Sequence, residues 1–290
     1  MIGRLSRLPA FYRLKQEYEE PSDRTLGDDD VQALVEEYPE VAGLDLRNCM
    51  NLTGAALGHL RELRYLLALN LSGTAIDADA LATLAAFPAL RIVVLNETQI
   101  SDEAAARLLS CRRFREISLN QTSVGNGALT GARGFRLRRL GLNGTRIDDR
   151  GAHALARFGY VGLLGVQGTG VTDDGVAALA GRDMTWTLNI AGCRVTDEGF
   201  LHLAGMRNLR HLFCDGIGIT DALGERMPDV PRNLEILDAA NTAIGDATVA
   251  RLAACPILGR LRLFNTRITD ACVPALLTME KLELLDIRQT

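Results

Sequence analysis

The sequence has little proline and serine, and it lacks any long apolar run. Only 8 prolines and 7 serines occur in 290 residues, and 47% of the residues are hydrophobic, which excludes a long disordered tract. No stretch approaches the roughly 20 apolar residues of a membrane span, and the N-terminal apolar run is too short for a signal peptide. The net charge of -4 gives no global attraction to nucleic acid or to acidic membranes. These absences predict a folded protein of the cytoplasm, or of a host cytoplasm if it is a secreted effector.

Motifs that would indicate an enzyme or a cofactor site are also missing. Neither lysine is followed by Ser or Thr, so there is no phosphate-binding GxxxxGK[ST] loop, and no GxSxG elbow or HExxH pair occurs. His59, His153 and His202 fall on different predicted helices, and the six cysteines lie far apart without CxxC pairs. The sequence therefore predicts reduced thiols and no catalytic residue, metal ligand or cofactor. An enzyme whose active site matches none of these motifs stays a second hypothesis.

One column of mostly threonine recurs along the chain at intervals of 23 to 25 residues. Its members are Cys49, Thr74, Thr98, Thr122, Thr145, Thr169, Cys193, Ile217, Thr242, Thr266 and Thr290. An alternating apolar pair such as Leu69 and Leu71 precedes each member, as is typical of a short strand with one buried face. A capping residue and an aspartate follow, as in Thr172 and Asp173, and then a helical leucine. Each unit is predicted to be strand, turn and helix, with the aspartate stabilising its own helix through the dipole.

This pattern resembles the leucine-rich repeat family in its 24-residue form. The units of that form read L-x-L-x-x-T-x-I-T-D-x-G-x-x-x-L, and residues 164–179 read L-x-V-x-x-T-x-V-T-D-x-G-x-x-x-L. The resemblance extends over about residues 26–290. Residues 151–156 also resemble GALA-type bacterial repeats, and the Thr-x-Ile-Thr-Asp motif resembles repeats of planctomycete proteins. The resemblance implies an α/β solenoid, or horseshoe, of about 11 parallel strands on the concave face with helices on the convex face. It also implies that the threonine or cysteine column hydrogen-bonds the turn backbone, so that Ile217 should cause a local irregularity.

The chain is predicted to be an N-terminal helical cap over residues 1–40 followed by one continuous repeat array over residues 41–290. Within the cap, residues 26–38 form a half-repeat helix that buries Ala33, Leu34 and Tyr38. An amphipathic helix precedes it, with apolar residues Leu8, Phe11, Tyr12, Leu14 and Tyr18. That helix is interpreted as a packing cap, with a partner-binding arm as the alternative.

Two internal units depart from the pattern. The fourth unit is rich in glycine and carries Ala132 where leucine belongs, so its convex segment is predicted to be a loop or a frayed helix. In the eighth unit, Pro228 and Pro231 predict an early helix end.

The outward columns of the strands change character at the eighth unit. Earlier units place small, mostly uncharged residues there, such as Asn70 and Ser118. From the eighth unit onward the columns contain His211, Phe213, Asp215, Asp238, Arg260, Arg262, Phe264, Asp286 and Arg288. Aromatic and arginine side chains together favour a protein or peptide partner. The alternative is a solvated face in which Asp238, Arg262 and Asp286 form a cross-strand ion-pair ladder of little net stability.

The sequence thus predicts a non-catalytic scaffold that binds a protein or peptide through the C-terminal half of its concave face. The alternatives are a self-assembling structural solenoid, or the recognition domain of a larger effector or ubiquitin-ligase-type protein. Residues 97–150 form a second candidate, with ten arginines against six acidic residues. They are interpreted as solvated flank residues that largely precede strands or lie off the concave face, or as a weak site for an acidic protein surface or a polyanion. The expected lack of exposed aromatics for stacking argues against nucleic acid.

The last predicted strand carries Leu285 and Ile287 and ends at Thr290 without a capping helix. An open edge of this kind normally needs cover. Three explanations are kept: the natural chain is longer, two chains meet end to end at this edge, or a partner docks there.

Overall fold

The computed structural model describes residues 25–131, 134–182 and 185–290. The chain divides into two compact units, Met1–Gly131 and Ala132–Thr290. The strands of the first unit are β1 (Gly43–Asp45), β2 (Ala68–Asn70), β3 (Ile92–Val94) and β4 (Glu116–Ser118). Those of the second are β5 (Arg136–Gly141), β6 (Tyr160–Gly165), β7 (Thr187–Asn189), β8 (His211–Phe213), β9 (Ile236–Asp238), β10 (Arg260–Arg262) and β11 (Leu284–Asp286). Within each unit, successive strands pair in parallel and in chain order.

Helices alternate with the strands, as the repeat pattern predicts. The first unit contains α1 (Asp28–Glu37), α2 (Gly54–Leu60), α3 (Ala78–Ala82) and α4 (Asp102–Ser110). The second contains α5 (Asp149–Leu155), α6 (Asp173–Ala180), α7 (Asp197–Ala204), α8 (Leu223–Arg226), α9 (Asp246–Leu252) and α10 (Val273–Leu276). Short 3₁₀ segments occupy Thr83–Ala86, Asn126–Leu129 and Asp270–Cys272. Among the described residues, no helix is long and apolar enough to cross a bilayer.

The threonine column stabilises the turn that follows each strand. The Thr74 hydroxyl donates to the Leu71 carbonyl at 2.8 Å, and other threonines of the column repeat this bond three residues back. The residue before the column is in the left-handed region, as at Gly73 with φ 64°, which explains why glycine or asparagine occupies most of these positions. At Ile217, the buried side chain offers no such bond, yet Gly216 keeps the same turn conformation with φ 68°. The irregularity expected there is absent from the backbone of this turn.

The aspartates at the helix starts bind the following repeat, a role that the sequence interpretation missed. Asp173 Oδ1 accepts the backbone N–H groups of Thr196 and Gly199 at 2.7 and 3.0 Å, and its Oδ2 accepts the Thr196 hydroxyl at 2.6 Å. Asp149 makes the same three bonds with Thr172 and Gly175. The carboxylate therefore joins consecutive repeats, in addition to its place in the first turn of its own helix.

The same contact explains the glycines at positions 175 and 199. A Cβ atom on Gly199 would lie 2.4 Å from Asp173 Oδ1, and one on Gly175 would lie 2.5 Å from Asp149 Oδ1. Two repeats further along the chain, Asp221 makes a corresponding contact and accepts backbone N–H groups of the following repeat. Burial opposes its charged form, but these hydrogen bonds hold the pKa of Asp221 below its ordinary value.

The irregular units agree with the sequence in part. Among the described residues between β4 and β5, the fourth unit contains the 3₁₀ segment Asn126–Leu129 and no α-helix, as predicted. Helix α8 stops at Arg226, before Pro228, which also agrees with the prediction. Helix α1 confirms the half-repeat and buries Leu34, but the predicted Ala33 is exposed, Tyr38 is only partly covered, and valines at positions 31 and 35 are buried instead. The amphipathic helix predicted from Leu8 to Tyr18 lies outside the described residues.

Candidate functional site

Most of the predicted partner-binding residues lie on the outward face of β8–β11, which we define as the side of the sheet opposite its buried leucines. The strand register aligns Phe213 with Asp238, Asp238 with Arg262, and Arg262 with Asp286. Four consecutive strands therefore present one continuous row of side chains. This alignment follows from the repeat, because equivalent positions of stacked units become neighbours in the sheet.

The charged members of this row form an ion-pair ladder, which comprises Asp238, Arg262, Asp286 and Arg288. Arg262 Nη1 lies 2.7 Å from Asp238 Oδ2, and Arg262 Nε lies 3.8 Å from Asp286 Oδ2. Arg288 donates to both Asp286 oxygens at 2.8 and 2.9 Å. The cross-strand ladder weighed from the sequence is thus present, and its charges compensate one another.

The two carboxylates of the ladder have opposite pKa shifts. Asp238 is only 6% exposed, and burial raises its pKa although Arg262 favours the charged form. The hydrogen bond from the Arg288 side chain lowers the pKa of Asp286 to about 2. Asp238 therefore depends on Arg262 to remain charged in a buried position. The charged form of Asp286, by contrast, is stabilised by the hydrogen bonds from the neighbouring Arg288.

The remaining predicted partner-binding residues on this face make few contacts with the ion-pair ladder. Phe213 and Phe264 are both partly exposed, and the Arg288 guanidinium lies 5.7 Å from the centre of the Phe264 ring. Asp215 accepts hydrogen bonds from the Asn241 amide at 3.0 and 3.2 Å rather than joining the ladder. Arg260 is exposed, and its side chain forms no ion pair with a described residue.

His211 belongs to a different cluster, which the sequence interpretation did not identify. Its ring stacks on Trp186 with the ring centres 6.2 Å apart and the planes at 28°. Its Nδ1 lies 3.0 Å from the Thr187 hydroxyl, and its Nε2 lies 3.6 Å from a carboxylate oxygen of Glu235, which also pairs with Arg210. Trp186 itself is 46% exposed and is the only tryptophan in the chain.

Trp186 was missed because the strand alternation is interrupted where each strand begins. The Trp186 carbonyl accepts the backbone N–H groups of both Arg210 and His211, at 2.8 and 2.9 Å. The Phe135 carbonyl likewise accepts two successive N–H groups, the second from Tyr160. A carbonyl that accepts two successive amides interrupts the evenly spaced hydrogen bonds of a parallel pair, so the period-two rule does not fix the side on which the residue before the strand lies. The signal available in the sequence was the single tryptophan of the chain, which stands in a column that contains no other aromatic residue.

Beside Trp186 lies a surface that we call the aromatic–arginine patch, made of Arg136, Arg138, Tyr160 and Trp186 around Gly162. Tyr160 is 36% exposed, and the Arg136 guanidinium lies 5.8 Å from its ring centre. The backbone N–H of Trp186 donates to the Gly162 carbonyl at 3.2 Å, so the two residues are neighbours across the sheet. Both arginines are exposed and lie within β5. The sequence interpretation, in which the arginines of this cluster largely precede strands or lie off the concave face, does not describe these two residues.

The thiols and histidines offer no second centre in the part of the chain that is described. None of the six cysteines forms a disulfide, and burial raises the pKa of Cys255 to about 11 and that of Cys214 as well. A thiol held protonated at neutral pH is a poor nucleophile. No group of three or more His, Cys, Asp or Glu side chains among the described residues is placed to hold a metal ion.

The comparison with solved structures identifies the fold. An internalin from Listeria monocytogenes is similar at 15% sequence identity and a TM-score of 0.59, covering 91% of this chain and 95% of the internalin. The fold is a leucine-rich repeat solenoid. No family model matches the sequence, and no curated protein matches it.

Two plant proteins are similar at lower TM-scores. One is a peptide hormone receptor in complex with RGF2, with 12% identity, a TM-score of 0.45, and coverage of 87% of this chain and 45% of the receptor. The other is an ice-binding protein, with 15% identity, a TM-score of 0.45, and coverage of 87% of this chain and 75% of that protein. At these identities the likeness concerns the fold and leaves the ligand open.

Proposed function

We propose that this chain is a non-catalytic scaffold that binds a protein or peptide through the outward face of its C-terminal repeats. The observation that carries the proposal is the pair of aromatic side chains that are partly exposed on that face, Phe213 and Phe264. Neither is required to fill the core, which is closed by the buried leucine columns on the other side of the strands. Exposed aromatics beside arginine are the residues that dominate the energy of protein interfaces.

The ion-pair ladder contributes specificity rather than affinity in this proposal. Its arginines and carboxylates are already paired with one another, so a partner gains little from replacing those pairs. Charges arranged in this way contribute orientation and specificity more than affinity. The affinity is assigned to Phe213, Phe264 and the neighbouring Arg260, whose guanidinium has no ion pair among the described residues.

The test replaces Phe213 and Phe264 together with Ser. Immobilised wild-type protein is used to capture proteins from a lysate of the source cells, and captured proteins are quantified by mass spectrometry. We expect the double variant to keep its folded circular dichroism spectrum and melting curve, and to lose at least tenfold of one or more captured proteins.

The matched control is Leu277→Ser, which removes an exposed apolar side chain next to α10. It should leave capture unchanged. Equal capture by the double variant, or equal losses in the control, would contradict the assignment of the aromatic face.

A second candidate function, structural self-assembly, is favoured by the edge strand β11. Leu284, Leu285 and Ile287 are exposed along this strand. Exposed apolar strands at a sheet edge favour association with another chain. The GALA-like or Thr-x-Ile-Thr-Asp repeat subtype and the cytoplasmic location are further parts of the proposal, which rest on the sequence alone.

A further inference from the structure

We propose that the aromatic–arginine patch binds a carboxylate of an acidic peptide segment, and that this segment belongs to the protein partner. The inference rests on the proposed function and supplies the chemistry of one part of the partner. It concerns residues of β5–β7, which the proposed interface around Phe213 and Phe264 does not include.

Two hydrogen-bond donors approach each other over Gly162. A Cβ atom placed on this glycine would lie 2.7 Å from the Arg138 carbonyl oxygen, 2.8 Å from Trp186 Nε1 and 3.1 Å from the Tyr160 hydroxyl oxygen. Because position 162 carries no side chain, both donors lie close to the strand, beside this backbone carbonyl. Neither the indole N–H nor the phenol hydroxyl forms a side-chain hydrogen bond with a described residue. A carboxylate has two oxygens that accept such donors, and it forms stronger bonds than a neutral acceptor does.

The charge around these donors is positive and uncompensated. Arg136 and Arg138 are exposed, and neither forms an ion pair with a described residue. The next residue of β5, Arg139, has a buried Nε without a hydrogen-bond partner in the described structure. Across the sheet, by contrast, Glu235 is occupied by Arg210. The patch is therefore complementary to negative charge, in a protein whose net charge is -4.

The tryptophan of the patch is held in place before any ligand arrives. Its indole lies against Gly162 on one strand and stacks on His211 of another. A side chain that is already ordered loses little conformational entropy on binding, which raises affinity for a given contact area. The exposed surface of Trp186 can then cover an apolar side chain next to the bound carboxylate.

The surroundings favour an acidic peptide over a single-stranded nucleic acid. Stacking aromatics beside arginines also occur in proteins that bind single strands. A phosphate backbone that continued along this face would, however, approach the carboxylates of Asp215, Asp238 and Asp286 on the strands that follow. A short peptide with two or three carboxylates matches the limited extent of the positive charge.

The experiment uses the single tryptophan as its reporter. The full chain is titrated with synthetic heptapeptides that carry Phe, Leu or Gly between two flanks of three glutamates, while Trp186 emission is recorded. Matched peptides with Gln in place of Glu and an octamer of deoxythymidylate form the other arms. We expect a saturable change in emission with a glutamate peptide, a dissociation constant below about 1 mM, weakening with added salt, and no saturation with the glutamine peptides.

Two sets of variants test the assignment to the patch. The double variant Arg136→Ser with Arg138→Ser should raise the dissociation constant tenfold or more, and Tyr160→Phe, which removes only the hydroxyl, should raise it about threefold. The control pairs Arg194→Ser with Arg267→Ser, which removes two exposed arginines from the turns of the same unit and makes the same change in net charge. We expect the control to bind within twofold of wild type.

Several outcomes would overturn the inference. They are an absence of saturation with every glutamate peptide, equal weakening in the control, or tighter binding of the oligonucleotide than of any peptide. Failure of the proposed function has a different signature. If lysate capture depends on Phe213 and Phe264 while the peptides do not bind, the scaffold proposal stands and the carboxylate site falls; peptide binding without such capture gives the reverse result.

Discussion

Removing the Asp173 carboxylate should destabilise the protein far more than removing the adjacent Asp174 carboxylate. The two residues stand next to each other in the first turn of α6, so both experience the same helix dipole. Only Asp173 reaches the next repeat, where it accepts three hydrogen bonds from Thr196 and Gly199. Asp174 is 71% exposed and has one distant contact, 3.8 Å from His153. The pair of alanine variants therefore separates the inter-repeat bond from the dipole effect.

The contacts of the two aspartates also determine how far the two variants should differ in stability. A hydrogen bond to a charged group contributes about 1.5–3 kcal/mol, and a carboxylate in the first turn of a helix contributes about 0.3–1 kcal/mol through the dipole. Because Asp173 is partly exposed and water can reach the donors it leaves, we take less than the full value of its three bonds. We expect about 2–4 kcal/mol of lost stability for Asp173→Ala and about 1 kcal/mol or less for Asp174→Ala.

The assay is urea unfolding followed by far-ultraviolet circular dichroism, with amide hydrogen exchange as an independent readout. In both variants, the free energy of unfolding should fall with urea concentration at the wild-type slope, so that the change in midpoint reports the change in stability. In Asp173→Ala alone, the Thr196 and Gly199 amides should exchange faster. Equal destabilisation by the two substitutions, or unchanged exchange at both amides, would refute the inter-repeat role.

Three further predictions follow from the same geometry. Arg262→Met removes the ladder cation beside buried Asp238 and should cost about 1–3 kcal/mol at pH 7. Since burial holds the pKa of Asp238 above its ordinary value, the deficit should shrink as the pH falls from 7 toward 4 and the carboxylate takes up a proton, and a deficit independent of pH in urea titrations would contradict this. Gly199→Ala places a methyl group 2.4 Å from a carboxylate oxygen of the preceding repeat, so it should lower stability by about 1–3 kcal/mol despite the better helix propensity of alanine, and an unchanged or raised thermal midpoint would be the opposite result. Leu285→Lys with Ile287→Lys should abolish any concentration-dependent dimer in multi-angle light scattering, whereas a wild-type protein that is monomeric at every concentration would exclude association through β11.

The repeat period predicts most of the fold, because each element depends on residues within its own unit. The hydroxyl column illustrates this, since Thr242 bonds a carbonyl three residues earlier and needs no distant contact. The role of Asp173 could not be predicted in the same way, because its partners lie 23 and 26 residues ahead and meet it only when repeats stack. For α1, the prediction that Ala33 is buried was wrong. A half-repeat has no preceding strand and turn pattern from which the buried side of its helix could be predicted.

The candidate site shows the same division. The ladder could be anticipated because equivalent columns of neighbouring units become register partners, which brings Asp238, Arg262 and Asp286 together. Trp186 could not, because strict alternation fails where one carbonyl bonds two successive amides, as Trp186 itself does with β8. Outward residues just before a strand therefore escape an interpretation that uses the period-two rule alone.

The ion-pair ladder and the aromatic–arginine patch differ in whether their charged and hydrogen-bonding groups are already paired within the protein. In the ladder, the bidentate bond from Arg288 and the pairing of Arg262 leave the carboxylates of Asp286 and Asp238 already satisfied, so contact there mainly exchanges one ion pair for another. In the patch, Trp186 and Tyr160 carry donors without side-chain partners in the described structure, and the adjacent arginines lack counter-charges. Because a hydrogen bond gains most where the donor was not bonded to the protein beforehand, a charged partner should gain more at the patch than at the ladder. The ladder is then suited to rejecting partners with the wrong charge, which is a contribution to specificity rather than to affinity.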